Sequence, residues 1–259
     1  MPNVGRHAPG DFCWIELSTS NQNAAKSFYT ALLGWTTRDA PMGPDAFYTT
    51  FESNGRAVGA AYTMCKEEVD AGIAPHWNVY VAVASADDAA KKAEQLGGKI
   101  LTAALDVMDL GRMAVIQDPT GAVFSLWEAK QHSGMAVTGD PGAFCWADLV
   151  VPDQAKARKF YEGLFGWTFE PGKRHADYLH IKHDGRYIGG LPAPHPSTES
   201  APPHWLVYVA VNDVDATFAR AKDLNARILL RPMDYEGEGR VAMVADRQGA
   251  GLAVTKRNA

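Results

Sequence analysis

The chain repeats itself, and no other feature limits its possible folds as strongly. Residues 9–39 read PGDFCWIELSTSNQNAAKSFYTALLGWTTRD, and residues 141–171 read PGAFCWADLVVPDQAKARKFYEGLFGWTFEP; at an offset of 132, 14 of the 31 positions are identical. NGRAVGA at 54–60 then matches DGRYIGG at 184–190 with an offset of 130, and PHWNVYVAV at 75–83 matches PHWLVYVAV at 203–211 with an offset of 128. Gly111-Arg112 and Gly239-Arg240 keep that last offset. Small stepwise losses of this kind belong in surface loops. Two copies of one domain follow, over residues 1–130 and 141–259, joined by a polar, Gly-containing linker at 131–140. Two long copies are not a solenoid or a propeller.

Each copy carries the same pattern twice: a strand, a helix, then further strands. Residues 11–18 alternate as a strand. Asn21 is placed to cap a helix in which Ala25, Phe28, Tyr29 and Leu32 recur at helical spacing, and Gly34 ends it. Strands over 47–51 and 56–63 flank the Asn54-Gly55 turn, whose residues suit the positive φ of a tight hairpin. A strand over 77–84, a helix over 86–96 and a strand over 99–103 follow. A hairpin over 112–117 and 123–128 then turns on Asp118-Pro119-Thr120-Gly121. The fold class expected is α+β: four βαβββ modules in two tandem domains, with helices on one face of each curved sheet and the opposite faces around cavities.

The 259 residues are 46% hydrophobic and 21% charged, which suits packed domains rather than a disordered or coiled-coil chain. A net charge of −5 without a basic cluster argues against nucleic acid and against an anionic membrane surface. No apolar stretch approaches the length of a membrane helix, and residues 1–10 lack the apolar core of a signal peptide. Three cysteines, Cys13, Cys65 and Cys145, show no CxxC spacing and fit reduced thiols in the cytoplasm. No nucleotide-binding glycine motif, GxSxG elbow or HExxH is present.

The segment FYTALLGW at 28–35, the Asp118-Pro119-Thr120-Gly121 hairpin and the paired modules resemble the vicinal oxygen chelate superfamily. It includes lactoylglutathione lyase, bleomycin-resistance proteins, fosfomycin-resistance enzymes and extradiol dioxygenases. The likeness covers nearly the whole chain and is greatest to tandem glyoxalase-like proteins of the actinobacterial type. In metal-dependent members, each module offers a His, Gln or Glu from its first or last strand, and the ion polarises two vicinal oxygens. By count from the matched motifs, those positions are Trp14, Asn78 and Ser125 in the first copy, and Trp146, Leu206 and Ala253 in the second. Trp and Leu do not bind a hard cation, and Asn or Ser is a poor anchor. No cofactor is assigned with conviction; a divalent metal stays open, with His76, His204 and Glu128 as weak candidates.

Glu16 and Asp148 each follow a tryptophan by two residues, so each projects with Trp14 or Trp146 from one strand face. A carboxyl among rings can serve as a proton shuttle; the alternative is an internal salt bridge, for instance to Arg112 or Arg240. Tyr80 and Tyr208 can bond a ligand oxygen or simply pack. Arg112 and Arg240 can grip an anion or pair internally. With Trp14, Asn78 and Trp146 these complete the expected ligand contacts. His76 and His204 can act chemically or order the loop before a strand. His175, His180, His183 and His195 form no ligand spacing. Three functions compete: a lyase or isomerase acting on a small carbonyl compound, a non-catalytic binder of a small aromatic or cationic molecule, and an extradiol-type dioxygenase. The partner expected is a small molecule, and the chain can be a monomer or a homodimer.

Overall fold

The structure, a computed structural model, describes residues 5–44, 46–172, 176–194, 201–235 and 239–256. The first half runs β1 (Phe12–Thr19), α1 (Gln22–Leu33), β2 (Thr36–Gly43), β3 (Ala46–Ser53), β4 (Arg56–Thr63), α2 (Lys66–Asp70), β5 (His76–Ala82), α3 (Ala86–Gln95), β6 (Lys99–Val107), β7 (Gly111–Gln117) and β8 (Val123–Ala129). The second half runs β9 (Phe144–Val150), α4 (Gln154–Phe165), β10 (Thr168–Pro171), β11 (Leu179–His183), β12 (Arg186–Leu191), β13 (His204–Ala210), α5 (Val214–Asp223), β14 (Arg227–Tyr235), β15 (Gly239–Ala245) and β16 (Gly251–Lys256).

Each half makes one open eight-stranded sheet, ordered β2-β3-β4-β1-β5-β8-β7-β6 and β10-β11-β12-β9-β13-β16-β15-β14. The expected α+β class and its four modules are present. The parallel pairs β1/β4 and β5/β8 close each module on itself, and antiparallel β1/β5 joins the two modules of the first half. The second half repeats this with β9/β12, β13/β16 and β9/β13. Strand β2 and the short helix α2 were not delimited by the hydrophobic pattern. β2 is exposed along nearly its whole length, so it carries no alternation to read.

The helices form where their caps place them. The Asn21 side chain accepts from the Ala24 amide at 3.0 Å, and the Asp153 side chain accepts from Lys156 at 2.9 Å. Both helices end on a left-handed glycine, Gly34 and Gly166, each at φ 72°. Their buried stripes are Ala25, Phe28, Tyr29 and Leu32, and Ala157, Phe160, Tyr161 and Leu164.

Between the halves α1 lies against α5 and α3 against α4, and the contacts are reciprocal. Trp35 Nε1 donates to Gly142 O at 2.7 Å, and Trp167 Nε1 donates to Gly10 O at 2.9 Å. Tyr29 Oη donates to Asp246 at 3.1 Å, and Tyr161 Oη donates to Asp118 at 3.0 Å. Trp77 and Trp205 in turn donate to those two tyrosine oxygens. Lys92 reaches Leu164 O at 3.1 Å, and Arg220 reaches Leu32 O at 3.2 Å. Each of these exchanges matched residues, so the halves relate to one another by an approximate two-fold. Phe12 and its match Phe144 touch edge to face at 5.7 Å beside Trp167 and Trp205. One continuous apolar core therefore spans both halves.

The same aspartates order the last hairpins. Asp118 Oδ1 accepts from the amides of Thr120, Gly121 and Ala122, and Asp246 Oδ1 accepts from Gln248, Gly249 and Ala250. The turn thus survives the loss of proline from the second copy, because the aspartate, not the proline, holds it. Among the described residues, no helix is long and apolar enough to cross a membrane.

Candidate functional site

With the helix-bearing faces packed together, the opposite faces of the two sheets are left to form separate inner surfaces. Register brings Trp14 opposite Tyr80 and Glu16 opposite Asn78 on β1 and β5, and Tyr80 opposite Ser125 on β5 and β8. In a sheet, such partners present their side chains on the same side. The second half aligns Trp146 with Tyr208, Asp148 with Leu206, and Tyr208 with Ala253.

A carboxyl held by two phenols lies at the centre of each inner face. Glu16, 8% exposed, accepts from Tyr48 Oη on Oε1 and from Tyr80 Oη on Oε2, both at 2.6 Å. Trp14 Nε1 donates to the Tyr48 oxygen at 3.0 Å. Asp148, 5% exposed, accepts from Tyr178 on Oδ1 and from Tyr208 on Oδ2, both at 2.7 Å. Trp146 Nε1 donates to both Asp148 Oδ1 and Tyr178 Oη at 3.0 Å. Oxygen separations this short mark strong, charge-assisted bonds.

Burial raises the Glu16 carboxyl above the ordinary glutamate range; the Tyr48 and Tyr80 bonds oppose that, and nearby Glu68 adds to it. Burial likewise raises Asp148, against the Tyr208, Tyr178 and Trp146 bonds and the proximity of His180. The Tyr48, Tyr80 and Tyr208 phenols are pushed upward by burial and by the carboxyl each bonds. The first half has a second carboxylate on this side. Glu68 of α2 accepts from Ser18 Oγ at 3.2 Å and from Tyr62 Oη at 2.9 Å.

The two clusters differ by one methylene, and the backbone compensates for it. Where the first half has Glu16 beside Ala60, the second has the shorter Asp148 beside Gly190. A Cβ at Gly190 would lie 1.8 Å from Tyr178 Oη and 2.4 Å from Asp148 Oδ1. Glycine is therefore what lets the phenol reach the shorter acid.

Glu16 and Asp148 face inward with their tryptophans, as their spacing suggests, but their partners are tyrosines and not arginines. Arg112 makes a bidentate pair with Asp87, at 2.7 and 3.1 Å, and also reaches Asp106. Arg240 pairs in the same way with Asp215, and reaches Asp234. Tyr80 and Tyr208 direct their hydroxyls to the carboxyls. His76 and His204 donate from Nδ1 to the carbonyls of Ala74 and Pro202 two residues earlier, which orders the loop before each strand. Glu128 accepts from the Ala86 amide at 3.0 Å, at the start of α3. His183 bonds Pro9 O, and His180 packs edge to face on Tyr178 at 5.2 Å; His175 and His195 lie outside the described residues.

Tyr48 and Tyr178 escaped the reading of the motifs. Their signal was the repeat itself: at the offset of 130, AFY at 46–48 falls on ADY at 176–178, and the tyrosine is the chemistry-bearing residue retained.

The model of the Glyoxalase/Bleomycin resistance protein/Dioxygenase superfamily matches residues 12–126 and again residues 143–254. The chain belongs to this superfamily. A Mycobacterium tuberculosis protein named as a glyoxylase, CFP32, is 36% identical, with 99% of this chain and 98% of that protein covered. The anthracycline biosynthesis protein DauV of Streptomyces sp. strain C5 is 34% identical over 97% of this chain and 94% of its own. The Mn(II)-bound glyoxalase from Novosphingobium aromaticivorans shares the fold, with a TM-score of 0.67 at 14% identity over 95% of this chain and 82% of that one. So does the 2,3-dioxygenase LapB from Pseudomonas sp. KL28, with a TM-score of 0.64 at 12% identity, 98% of this chain and 93% of that one.

A divalent ion does not suit the donors of this superfamily member. Of the six positions counted as ligand sites, Trp14, Trp146, Leu206 and Ala253 offer no oxygen or imidazole, and Asn78 bonds Ser125 at 2.8 Å. Both oxygens of Glu16 and of Asp148 are already bonded by phenols. Among the described residues, no group of three or more His, Cys, Asp and Glu side chains converges to hold an ion.

Proposed function

We propose that this protein acts on a small carbonyl-containing or aromatic molecule at the inner face, as a glyoxalase-type isomerase in which Glu16 and Asp148 are the proton-carrying groups. The observation that carries this reading is the buried carboxyl bridged by two tyrosines, retained in both halves although Glu has been exchanged for Asp. Burial gives such a carboxyl an affinity for protons closer to the working pH, which suits a group that must both take and return one. Acting on the thiol adduct of methylglyoxal, the carboxylate removes the proton from the carbon that bears sulfur and hydroxyl. The electron pair of that C–H bond moves to the adjacent carbonyl and gives an enediolate. The carboxyl returns that proton to the neighbouring carbon while the hydroxyl proton passes from the oxygen beside sulfur to the new alkoxide oxygen, leaving a 2-hydroxy thioester isomeric with the adduct. No outside oxidant is needed. Relatives named as a glyoxylase and as anthracycline biosynthesis proteins support a carbonyl-bearing substrate class.

Turnover of methylglyoxal, with and without added thiol, tests the reading. Glu16→Gln together with Asp148→Asn is expected to lower kcat by about 10²–10⁴, the range for losing a general base. An unchanged rate in the double variant removes both residues from the chemistry.

A second reading, sequestration of an aromatic molecule without turnover, draws support from the tryptophans at each inner face and from carboxyl oxygens already paired. Quenching of tryptophan fluorescence by a ligand that leaves the protein unaltered would favour it.

A further inference from the structure

The two inner faces have diverged at one matched pair of positions, and the divergence is chemical. In the first half, Asn78 on β5 and Ser125 on β8 lie side by side, with Asn78 Nδ2 donating to Ser125 Oγ at 2.8 Å. The other end of that amide, Asn78 Oδ1, is buried and has no hydrogen-bond partner among the described residues. At the offset of 128 the second half has Leu206 and Ala253. These pack with Trp146, Tyr208 and Val241 into an apolar cluster separate from the main core.

Folded proteins seldom bury an acceptor unbonded, and an instance beside a functional carboxyl calls for a reason. Asn78 stands directly across β1 from Glu16, and Ser125 directly across from Tyr80. The orphan oxygen thus belongs to the same face as the proton-carrying group. An O–H or N–H brought by a ligand would satisfy it. The second half has nothing equivalent to satisfy: Leu206 stands across from Asp148 and Ala253 across from Tyr208. Glu68, held by Ser18 and Tyr62, adds a second carboxylate to the face of the first half.

Resting on the reading of the inner face as a small-molecule site, we infer that the two halves are not equivalent. The first half binds a carbonyl compound that also carries a hydroxyl or N–H group, donated to Asn78 Oδ1, and the second half discriminates against that group. A site built to hydrogen-bond a hydroxyl rejects the analogue lacking it, because its own polar atom is then left unpaired.

The indole N–H groups give each half its own reporter, since Trp14 Nε1 bonds Tyr48 and Trp146 Nε1 bonds Asp148 and Tyr178. Their ¹H–¹⁵N signals, assigned with Trp14→Phe and Trp146→Phe, are followed while the full chain is titrated with 4-hydroxyacetophenone and, separately, with acetophenone. The Trp14 signal should saturate at about tenfold lower concentration of the hydroxylated ketone than of acetophenone, with no such preference at Trp146. Asn78→Leu, which copies the second half, should erase the preference, and Ser125→Ala should weaken it. Leu206→Asn with Ala253→Ser should confer it on the Trp146 signal. Equal response to both ketones at Trp14, the same preference at Trp146 in the unaltered chain, or a preference that survives Asn78→Leu overturns the inference alone. If neither indole responds to either ketone, the small-molecule reading of the face falls with it.

Discussion

Gly190 lies alongside Asp148 in paired strands, so close that a methyl group on the first would come within 2.4 Å of a carboxyl oxygen of the second. Its match in the other half is Ala60, beside Glu16. The acid one carbon longer goes with the residue one carbon larger. In the second half both members of the pair are one carbon smaller, so the phenol draws in to the shorter acid through the space that a side chain at Gly190 would fill.

Gly190→Ala should therefore displace Tyr178 from Asp148 and cost about 1–3 kcal/mol, the usual penalty for overpacking. Adding Asp148→Glu, which restores the pairing seen in the first half, should recover part of that loss. Urea unfolding of the two single variants and the double variant measures the coupling. Strictly additive losses would mean that the two positions do not share this space.

Removing the Tyr48 hydroxyl should move chemistry toward higher pH. Its bond favours the charged form of Glu16, so Tyr48→Phe raises that carboxyl further and a reaction needing the carboxylate turns on later in the pH scale. The alkaline displacement of the acid limb of kcat/KM is the expected reading. An acid limb that stays in place would separate Glu16 from the rate.

Stability should respond to pH through the same groups. Glu16 and Asp148 hold their protons more tightly folded than unfolded. Their contribution is thus complete below the ordinary carboxyl range, and is lost as pH rises through the folded-state values. Against the Glu16→Gln/Asp148→Asn double variant, the unaltered chain should lose stability more steeply with rising pH, by at most about 1.4 kcal/mol per pH unit for each carboxyl. Urea midpoints between pH 4 and 9 measure the difference, and parallel curves would refute it.

Tyr29→Phe should weaken the joint between the halves, because it deprives both Asp246 and Trp77 of a buried partner. A loss of about 1–3 kcal/mol is expected in thermal or urea unfolding, with Tyr161→Phe matching it. A negligible effect at both positions would show that apolar packing alone holds the interface.

Arg112→Gln and Arg240→Gln, in contrast, should leave binding at the inner faces unaltered and the unfolding midpoint nearly in place. Their partners are the surface carboxylates of Asp87 and Asp215, in solvent-screened pairs. Weakened ligand binding in either variant would restore the arginines to the site.

The repeat made the architecture legible from the chain alone. The caps and left-handed glycines of α1 and α4 fall where residue chemistry puts them, whereas β1, read as alternating, is buried on both faces. The orientation of Glu16 and Asp148 was legible too, since a two-residue spacing from a tryptophan fixes their face. Their partners were not. Tyr48 and Tyr178 sit on β3 and in the turn before β11, far along the chain, and only closure of the module brings them to β1 and β9. Of the two roles open to Arg112 and Arg240, internal pairing is the one seen, with acidic partners both six and 25 residues earlier in the chain. Sequence spacing gives the face of a residue readily; it gives the neighbour across a sheet only when register is known.

The exchange of bonds from Trp35 to Gly142 and from Trp167 to Gly10 has a further consequence. A joint that matches itself needs only one gene segment to specify both of its sides, as in a symmetric homodimer. Fusing two such segments in tandem created no surface that was not already there. What separate spelling of the copies allows is freedom from enforced identity: one half carries Asn78 where the other carries Leu206.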